Sequence, residues 1–176
     1  MYLKSLDGCR LTIGRYPPFT YNANGGGGSA ISIPSHKNNL LQVTFSSKTF
    51  SIPPLTSKTT KFLSLPLAPG LKIEMSMDKL EGTINRDSGE VILTFESKFL
   101  FSIGTIVKFP KLIVNTLLTT GQVKSKLHQG EGLIIQNNGK LKLVGIAIVP
   151  ITGNKVLDSF LRLPNEALAE LQCEIK

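Results

Sequence analysis

The feature that most constrains the fold is a regular alternation of apolar and polar residues in the middle of the chain. Every second residue from 71 to 77 is apolar, namely Leu71, Ile73, Met75 and Met77. A turn sequence follows at residues 85–89, and Val91, Leu93 and Phe95 resume the alternation beyond it. A period of two places one side of an extended chain against a core. The pattern predicts a long β-hairpin, with Phe99 and Phe101 on its inner face.

Shorter runs of the same kind predict further strands on both sides of this hairpin. Residues 143–149 are apolar on both faces, which is typical of a strand covered from two sides. A helix is predicted from Asn154 or Asp158 to Leu161, and Pro164 with Glu166 predicts the start of a second short helix. The 176 residues are therefore predicted to form a single β domain, less regular over residues 1–70 and built of hairpins over residues 71–176. The predicted fold is mainly β: an antiparallel β-sandwich or partly closed β-barrel with one short C-terminal helical element.

The composition is that of a globular, basic protein. Hydrophobic residues make up 41% of the chain and charged residues 18%, which is too apolar for a disordered chain. The net charge of +8 favours acidic partners, although the lysines are scattered along the strands. The longest apolar run, residues 143–151, is about half as long as a membrane-spanning helix requires. Since no signal peptide is visible either, we expect a soluble, intracellular protein.

The two cysteines and two histidines offer little chemistry. Cys9 and Cys173 have no neighbouring ligand at metal-binding spacing, so we expect two free, buried thiols, with a bridge between them as the alternative. His36 and His128 lie in polar stretches and are predicted to be surface residues. Nucleophile elbows, zinc-binding helices and complete phosphate-binding loops are all missing from the sequence. The sequence therefore predicts a protein that is not an enzyme and has no cofactor and no metal site.

The most site-like local feature is an aromatic cluster beside a run of glycines. Arg15, Tyr16, Phe19 and Tyr21 surround Pro17 and Pro18, and Gly25, Gly26, Gly27 and Gly28 follow closely. Four glycines predict a flexible loop unless another segment orders it. Such a loop beside aromatic rings could cover a ligand or seat a partner, but it could equally be a flap whose rings pack on the sheet.

The interior of the sheet is the second candidate site. A sheet of about nine strands closed at one end by a helix can enclose an apolar cavity that carries a lipid or a pigment. The same side chains could also fill the interior completely.

Three segments of the second half carry a resemblance to a known group. They are residues 80–91, residues 143–147 and residues 158–169. Over roughly residues 71–175 the chain resembles small proteins of cyanobacteria and plastids. The resemblance implies a photosynthetic setting at or near the thylakoid membrane, and it supplies no catalytic motif.

These observations favour a non-enzymatic binding or accessory protein. It is expected to hold an apolar ligand, lipid or pigment, or to dock on an acidic protein or an anionic membrane surface. The alternative is a β domain that binds single-stranded nucleic acid through Tyr16, Phe19 and Tyr21, which is the less favoured partner class. The expected location is the cytoplasm or a plastid, with peripheral association at the thylakoid membrane as an option.

Overall fold

The computed structural model describes residues 1–35 and 39–176. His36, predicted to be a surface residue, lies outside this described part. The described residues form one α-helix, α1 (Lys155–Leu161), and fifteen β-strands. The strands are β1 (Tyr2–Ser5), β2 (Cys9–Ile13), β3 (Phe19–Tyr21), β4 (Gly27–Pro34), β5 (Leu40–Phe45), β6 (Thr60–Phe62), β7 (Leu65–Pro66), β8 (Leu71–Asn85), β9 (Val91–Ile103), β10 (Val107–Lys108), β11 (Leu112–Thr119), β12 (Gln122–Lys124), β13 (Gln129–Glu131), β14 (Lys140–Val149) and β15 (Asn165–Ile175).

The predicted central hairpin is confirmed as β8 and β9. The two strands pair from Leu71 opposite Ile103 to Ile84 opposite Val91, with one register shift between Met77 and Lys79. The connecting turn is held by the Asn85 side chain, whose Oδ1 accepts hydrogen bonds from the backbone N–H groups of Asp87 and Ser88. Alternate side chains along both strands are buried, as the period of two requires.

The sheet closes on itself into a barrel. Within the described part of the chain, eight strands follow one another in the order β1, β4, β5, β8, β9, β11, β14 and β15, and β15 pairs with β1 to complete the ring. The closing pairs join Leu3 to Ile175 and Ser5 to Cys173. The mainly β, antiparallel fold class with one short helix is confirmed, and of the two predicted architectures the structure adopts the barrel.

A short branch completes the wall beside the first half of β15. This half pairs with β2, and β2 continues the sheet through β3, β6 and β7. Leu55 then forms a two-way backbone bridge with Ile73 of β8. Thus β1 and β2 occupy successive parts of one edge of β15, and the wall continues past the point where β1 ends.

The second predicted helix is wrong, because residues 165–175 form β15. Its backbone pairs with β14 over ten residues, from Asn165 opposite Val149 to Glu174 opposite Lys140. Ala167, Ala169, Leu171 and Cys173 all face the barrel interior. Tertiary pairing on both edges overrides the helix propensity of this Ala- and Leu-rich segment.

The first predicted helix is confirmed as α1. The side-chain oxygen of Asn154 accepts a 3.0 Å hydrogen bond from the backbone N–H of Leu157, as expected for an N-cap. Leu157 and Leu161 are buried and close one end of the barrel interior. We call this end of the barrel the helix end.

The strand predicted to be covered on both faces, β14, is covered only over part of its length. Val144 is fully buried because the ribbon of β12 and β13 lies over it. Ile148, four residues further along the same face, is 63% exposed. The apolar outer face of β14 therefore continues beyond the ribbon to the surface.

The glycine run is ordered by the close approach of two backbones. Gly27 begins β4 with a φ of +128°, and a Cβ atom on it would lie 2.1 Å from the carbonyl oxygen of Leu3 in β1. A Cβ on Gly28 would meet Phe50 at 2.8 Å. The absence of side chains here lets β4 pair with β1, so these glycines belong to the barrel wall.

We expect Gly27→Ala to lower the free energy of unfolding by about 2 kcal/mol or more, because the new Cβ would collide with the β1 backbone at a positive φ. Gly121→Ala is the matched control, since its Cβ would meet only the Thr119 hydroxyl, at 3.4 Å. The control should change stability by less than about 0.5 kcal/mol. Urea unfolding followed by circular dichroism measures both values, and equal effects would contradict this account of the β1–β4 contact.

Candidate functional site

A cavity of about 150 Å³ lies inside the barrel. Its lining draws on both of the barrel's hydrophobic clusters. Leu93 and Leu143 belong to the cluster away from α1, whereas Phe101 and Leu161 belong to the cluster at the helix end. The cavity therefore occupies the middle of the barrel and extends toward α1.

Small residues on two neighbouring strands leave this space unfilled. Gly145 and Ala147 of β14 and Ala167 and Ala169 of β15 all line the cavity. Protein interiors are close-packed, so a run of small inward side chains leaves a void unless larger residues fill it from elsewhere. Gly145 cannot be enlarged, because its Cβ would lie 2.7 Å from the carbonyl oxygen of Leu117. The backbone spacing of β11 and β14 thus helps to preserve the cavity.

The lining is apolar, and among the described residues it includes no charged side chain. Two of its polar side chains, Thr116 and Tyr21, form hydrogen bonds within the protein. The Thr116 hydroxyl donates a 2.8 Å hydrogen bond to the carbonyl of Ile146, and the Tyr21 hydroxyl donates to the carbonyl of Pro53. Burial raises the pKa of Tyr21, so its phenol stays protonated. A ligand here would be held by shape and apolar contact.

Both thiols line the same cavity and are free, as expected. The Cys9 sulfur accepts a hydrogen bond from the backbone N–H of Gln172 at 3.3 Å. Burial raises the pKa of the thiol in Cys9 and in Cys173. Since the thiolate is the nucleophile, two thiols held in the protonated form are poorly suited to covalent chemistry.

The aromatic residues predicted as a cluster are divided between the barrel wall with its interior and the helix end. Tyr21 is buried in the barrel interior, and Phe19 stacks on Phe62 with ring centroids 4.7 Å apart. Tyr16 lies at the helix end, where its hydroxyl donates a 2.6 Å hydrogen bond to the carbonyl of Phe160. Its ring also lies 5.6 Å from the Arg162 guanidinium. Tyr16 therefore anchors α1, and Arg15 beside it is exposed.

The predicted glycines lie along the wall and do not cover Tyr16 as a loop. Gly26 lies against Pro53, whose carbonyl accepts the Tyr21 hydroxyl, so these two predicted residues do meet. Gly27 and Gly28 pair with β1, and the space around Gly25 is open. The structure thus links Gly26 with Tyr21, and Phe19 packs against the same hydrophobic cluster as Tyr21, whereas Tyr16 lies apart from them at the helix end.

A polar cluster at Ser125, His128 and Glu166 stabilises a turn. The Ser125 hydroxyl donates a 2.5 Å hydrogen bond to Glu166, which lowers the pKa of that carboxyl group. The backbone N–H of His128 donates to the Ser125 hydroxyl, and its ring Nε2 is buried without a partner among the described residues. The Ser125 hydroxyl is directed at a carboxylate whose pKa is lowered, and such a carboxylate is a weak base for activating a nucleophile. His128, predicted at the surface, is half-buried.

The sequence predicted the barrel interior as a candidate site, but the residues that keep the interior open were not predicted. Gly145, Ala147, Ala167 and Ala169 are the small ones, and they alternate at inward positions of two strands that pair directly. That alternation is visible in the sequence. It could not be interpreted while residues 164–171 were assigned to a helix.

Comparison with known proteins gives no significant match to a protein-family model, to a curated protein sequence or to a solved structure. The resemblance to proteins of cyanobacteria and plastids therefore stays a prediction. In residues 1–35 and 39–176, no group of three or more potential ligands is placed to hold a metal ion. The same residues contain no helix with the length and apolar character needed to cross a membrane.

Because burial raises the pKa of both thiols, we expect the protein to lose stability at alkaline pH. The unfolded chain releases the thiol protons near pH 9, whereas the folded chain retains them to higher pH, so the free energy of unfolding should fall as the pH rises above 9. Each thiol contributes a slope of up to about 1.4 kcal/mol per pH unit. Urea unfolding at pH 8 and pH 10 should show a smaller decrease in a Cys9→Ala, Cys173→Ala double variant. An unchanged decrease in that variant would assign the effect to other groups.

Tyr16→Phe should loosen α1, because it removes the hydrogen bond to Phe160 while keeping the ring. We expect a loss of about 1 kcal/mol in unfolding free energy and faster hydrogen exchange at the amides of α1. Tyr2→Phe is the control, since the Tyr2 hydroxyl makes no hydrogen bond within the described residues. If exchange at α1 is the same in both variants, Tyr16 does not anchor the helix.

Proposed function

We propose that the protein is a non-enzymatic binding protein that holds an apolar ligand inside its barrel. The observation that carries the proposal is the apolar cavity of about 150 Å³ with no charged side chain in its described lining. Apolar cavities of this size stay dry and bind molecules such as benzene. An empty cavity also costs packing energy, which a ligand of matching shape would recover.

The cavity volume favours a slender ligand. Sites for drug-sized molecules usually measure about 300–1,000 Å³, so a pigment ring system would need the barrel to widen. The end of an acyl or isoprenoid chain fits with less adjustment, and each buried CH₂ group stabilises the complex by about 0.8 kcal/mol. Within the proposal, a lipid chain is therefore the preferred ligand and a pigment the second choice. Both are abundant in the photosynthetic setting that the resemblance implies.

The nucleic-acid alternative gains less support from the geometry. Binding by stacking needs ring faces that a base can reach. Tyr21 is 4% exposed, and Phe19 is already stacked on Phe62. Tyr16 offers one ring, engaged with α1 through Phe160 and Arg162.

Native mass spectrometry of the purified protein, after exposure to a total lipid and pigment extract of a photosynthetic cell, tests the proposal. We expect a discrete added mass that survives gentle activation and that extraction identifies as a lipid. A bare protein mass after saturating exposure would contradict ligand carriage.

The location of the ligand is tested with a pair of variants on one strand. Val114 lines the cavity from β11, whereas its neighbour Ile113 points outward and is 54% exposed. Val114→Phe should fill part of the cavity and lower ligand occupancy at least tenfold, at a folding cost of about 1–3 kcal/mol. Ile113→Phe should keep wild-type occupancy. Thermal unfolding shows that both variants are folded, and equal occupancy in both would move the ligand out of the barrel.

A further inference from the structure

The strand register brings several separate turns to the helix end of the barrel. Leu71 begins β8 opposite the last residue of β9, Ile103. Val149 ends β14 opposite the first residue of β15, Asn165. β2 also ends here, because Ile13 lies opposite Ala167, near the start of β15. β3 begins and β6 ends at the same place, because Phe19 pairs with both Leu11 and Phe62. The turns that follow or precede these residues therefore project together, next to α1.

These turns expose large apolar side chains. Ile106 is 90% exposed, and five others are more than half exposed. The six residues are Leu63, Leu65, Ile106, Ile151, Val156 and Phe160. They come from three different turns and from the outer face of α1, so they lie together at the helix end of the barrel. Apolar surface concentrated in this way on a protein marks an interaction site.

The same segments carry most of the net charge of the chain. Residues 14–18, 61–65, 103–111 and 150–164 contain six cationic side chains and one carboxylate, which amounts to five of the eight net positive charges. The cations are Arg15, Lys61, Lys108, Lys111, Lys155 and Arg162, and all six are exposed. In the described part of the chain none of them forms an ion pair. Asp158, the carboxylate, is half-buried and accepts hydrogen bonds from Thr152 and Gly153.

We propose that the helix end docks on an anionic membrane surface, with its apolar tips in the headgroup region and its cations against acidic lipids. The exposed apolar side chains and the exposed cations both fit this partner, since apolar side chains surrounded by Lys and Arg are what interfacial binding requires. A folded acidic protein would supply the charge complement, but protruding tips on separate turns need a soft surface that they can enter. The proposal does not depend on a ligand in the cavity.

Vesicle flotation with the full chain tests the charge dependence. We expect binding to vesicles of phosphatidylcholine with 30% phosphatidylserine, weak binding to phosphatidylcholine alone, and weakening as salt rises. Lys108→Gln with Lys111→Gln should weaken binding by about fivefold for each charge removed. Arg86→Gln with Lys140→Gln is the matched control, because both residues lie at turns of the opposite end. Equal losses in the two double variants, or no binding to anionic vesicles, would overturn the proposal.

Tryptophan fluorescence tests which end enters the membrane. The chain contains no Trp, so a single introduced Trp reports its own position. Ile106→Trp should shift its emission to the blue on anionic vesicles and be quenched by brominated lipids, because Ile106 is the most exposed tip of the helix end. Ile33→Trp, at a site 60% exposed near the opposite end, should show neither effect. The reverse result, or equal responses, would contradict docking through the helix end.

Discussion

Backbone pairing along both edges of β15 holds the barrel together. One edge pairs with β14 over ten residues, and the other pairs with β1 and β2 in succession. Without the second edge the sheet would remain open, with unpaired backbone groups exposed and its apolar face in water. Closure pairs the backbone groups of both edges and buries the apolar face. It also makes every inward side chain part of a shared interior.

The cavity and the helix end both follow from this closure. Since β14 and β15 meet directly, their small inward residues, such as Ala147 and Ala169, leave space side by side that the phenylalanines of β9 do not fill. Closure also sends successive turns to the same end, where α1 covers the interior with Leu157 and Leu161 and presents Phe160 outward. One topology therefore yields an apolar interior, a helical plug, and a basic, apolar rim around that plug.

Sequence patterns within a few residues predicted the strands and the helix whose main contacts are with residues nearby in the sequence. The alternation around the Asn85 turn predicted β8, β9 and their inner face. The two candidate capping residues, Asn154 and Asp158, predicted α1, and Asn154 is the one that caps it. The signal failed at residues 165–175, where alternation and helix propensity disagree and the pairing partners lie far away in sequence. The aromatic cluster failed for a related reason. Alternation along β3 directs Tyr21 inward, while Tyr16 precedes the strand and contacts α1 through its hydrogen bond to Phe160.

Antiparallel β-structure with one short helix can be predicted from the sequence alone, because periodicity and capping act within a few residues. The sequence also gives the basic charge, and it predicted free, buried thiols at Cys9 and Cys173. Three properties appear only in the folded chain: the sheet closes, the interior keeps a cavity, and Leu63, Ile106 and Phe160 share one end. Those properties depend on register between strands as distant as β1 and β15, which is set when the strands pair and the interior packs.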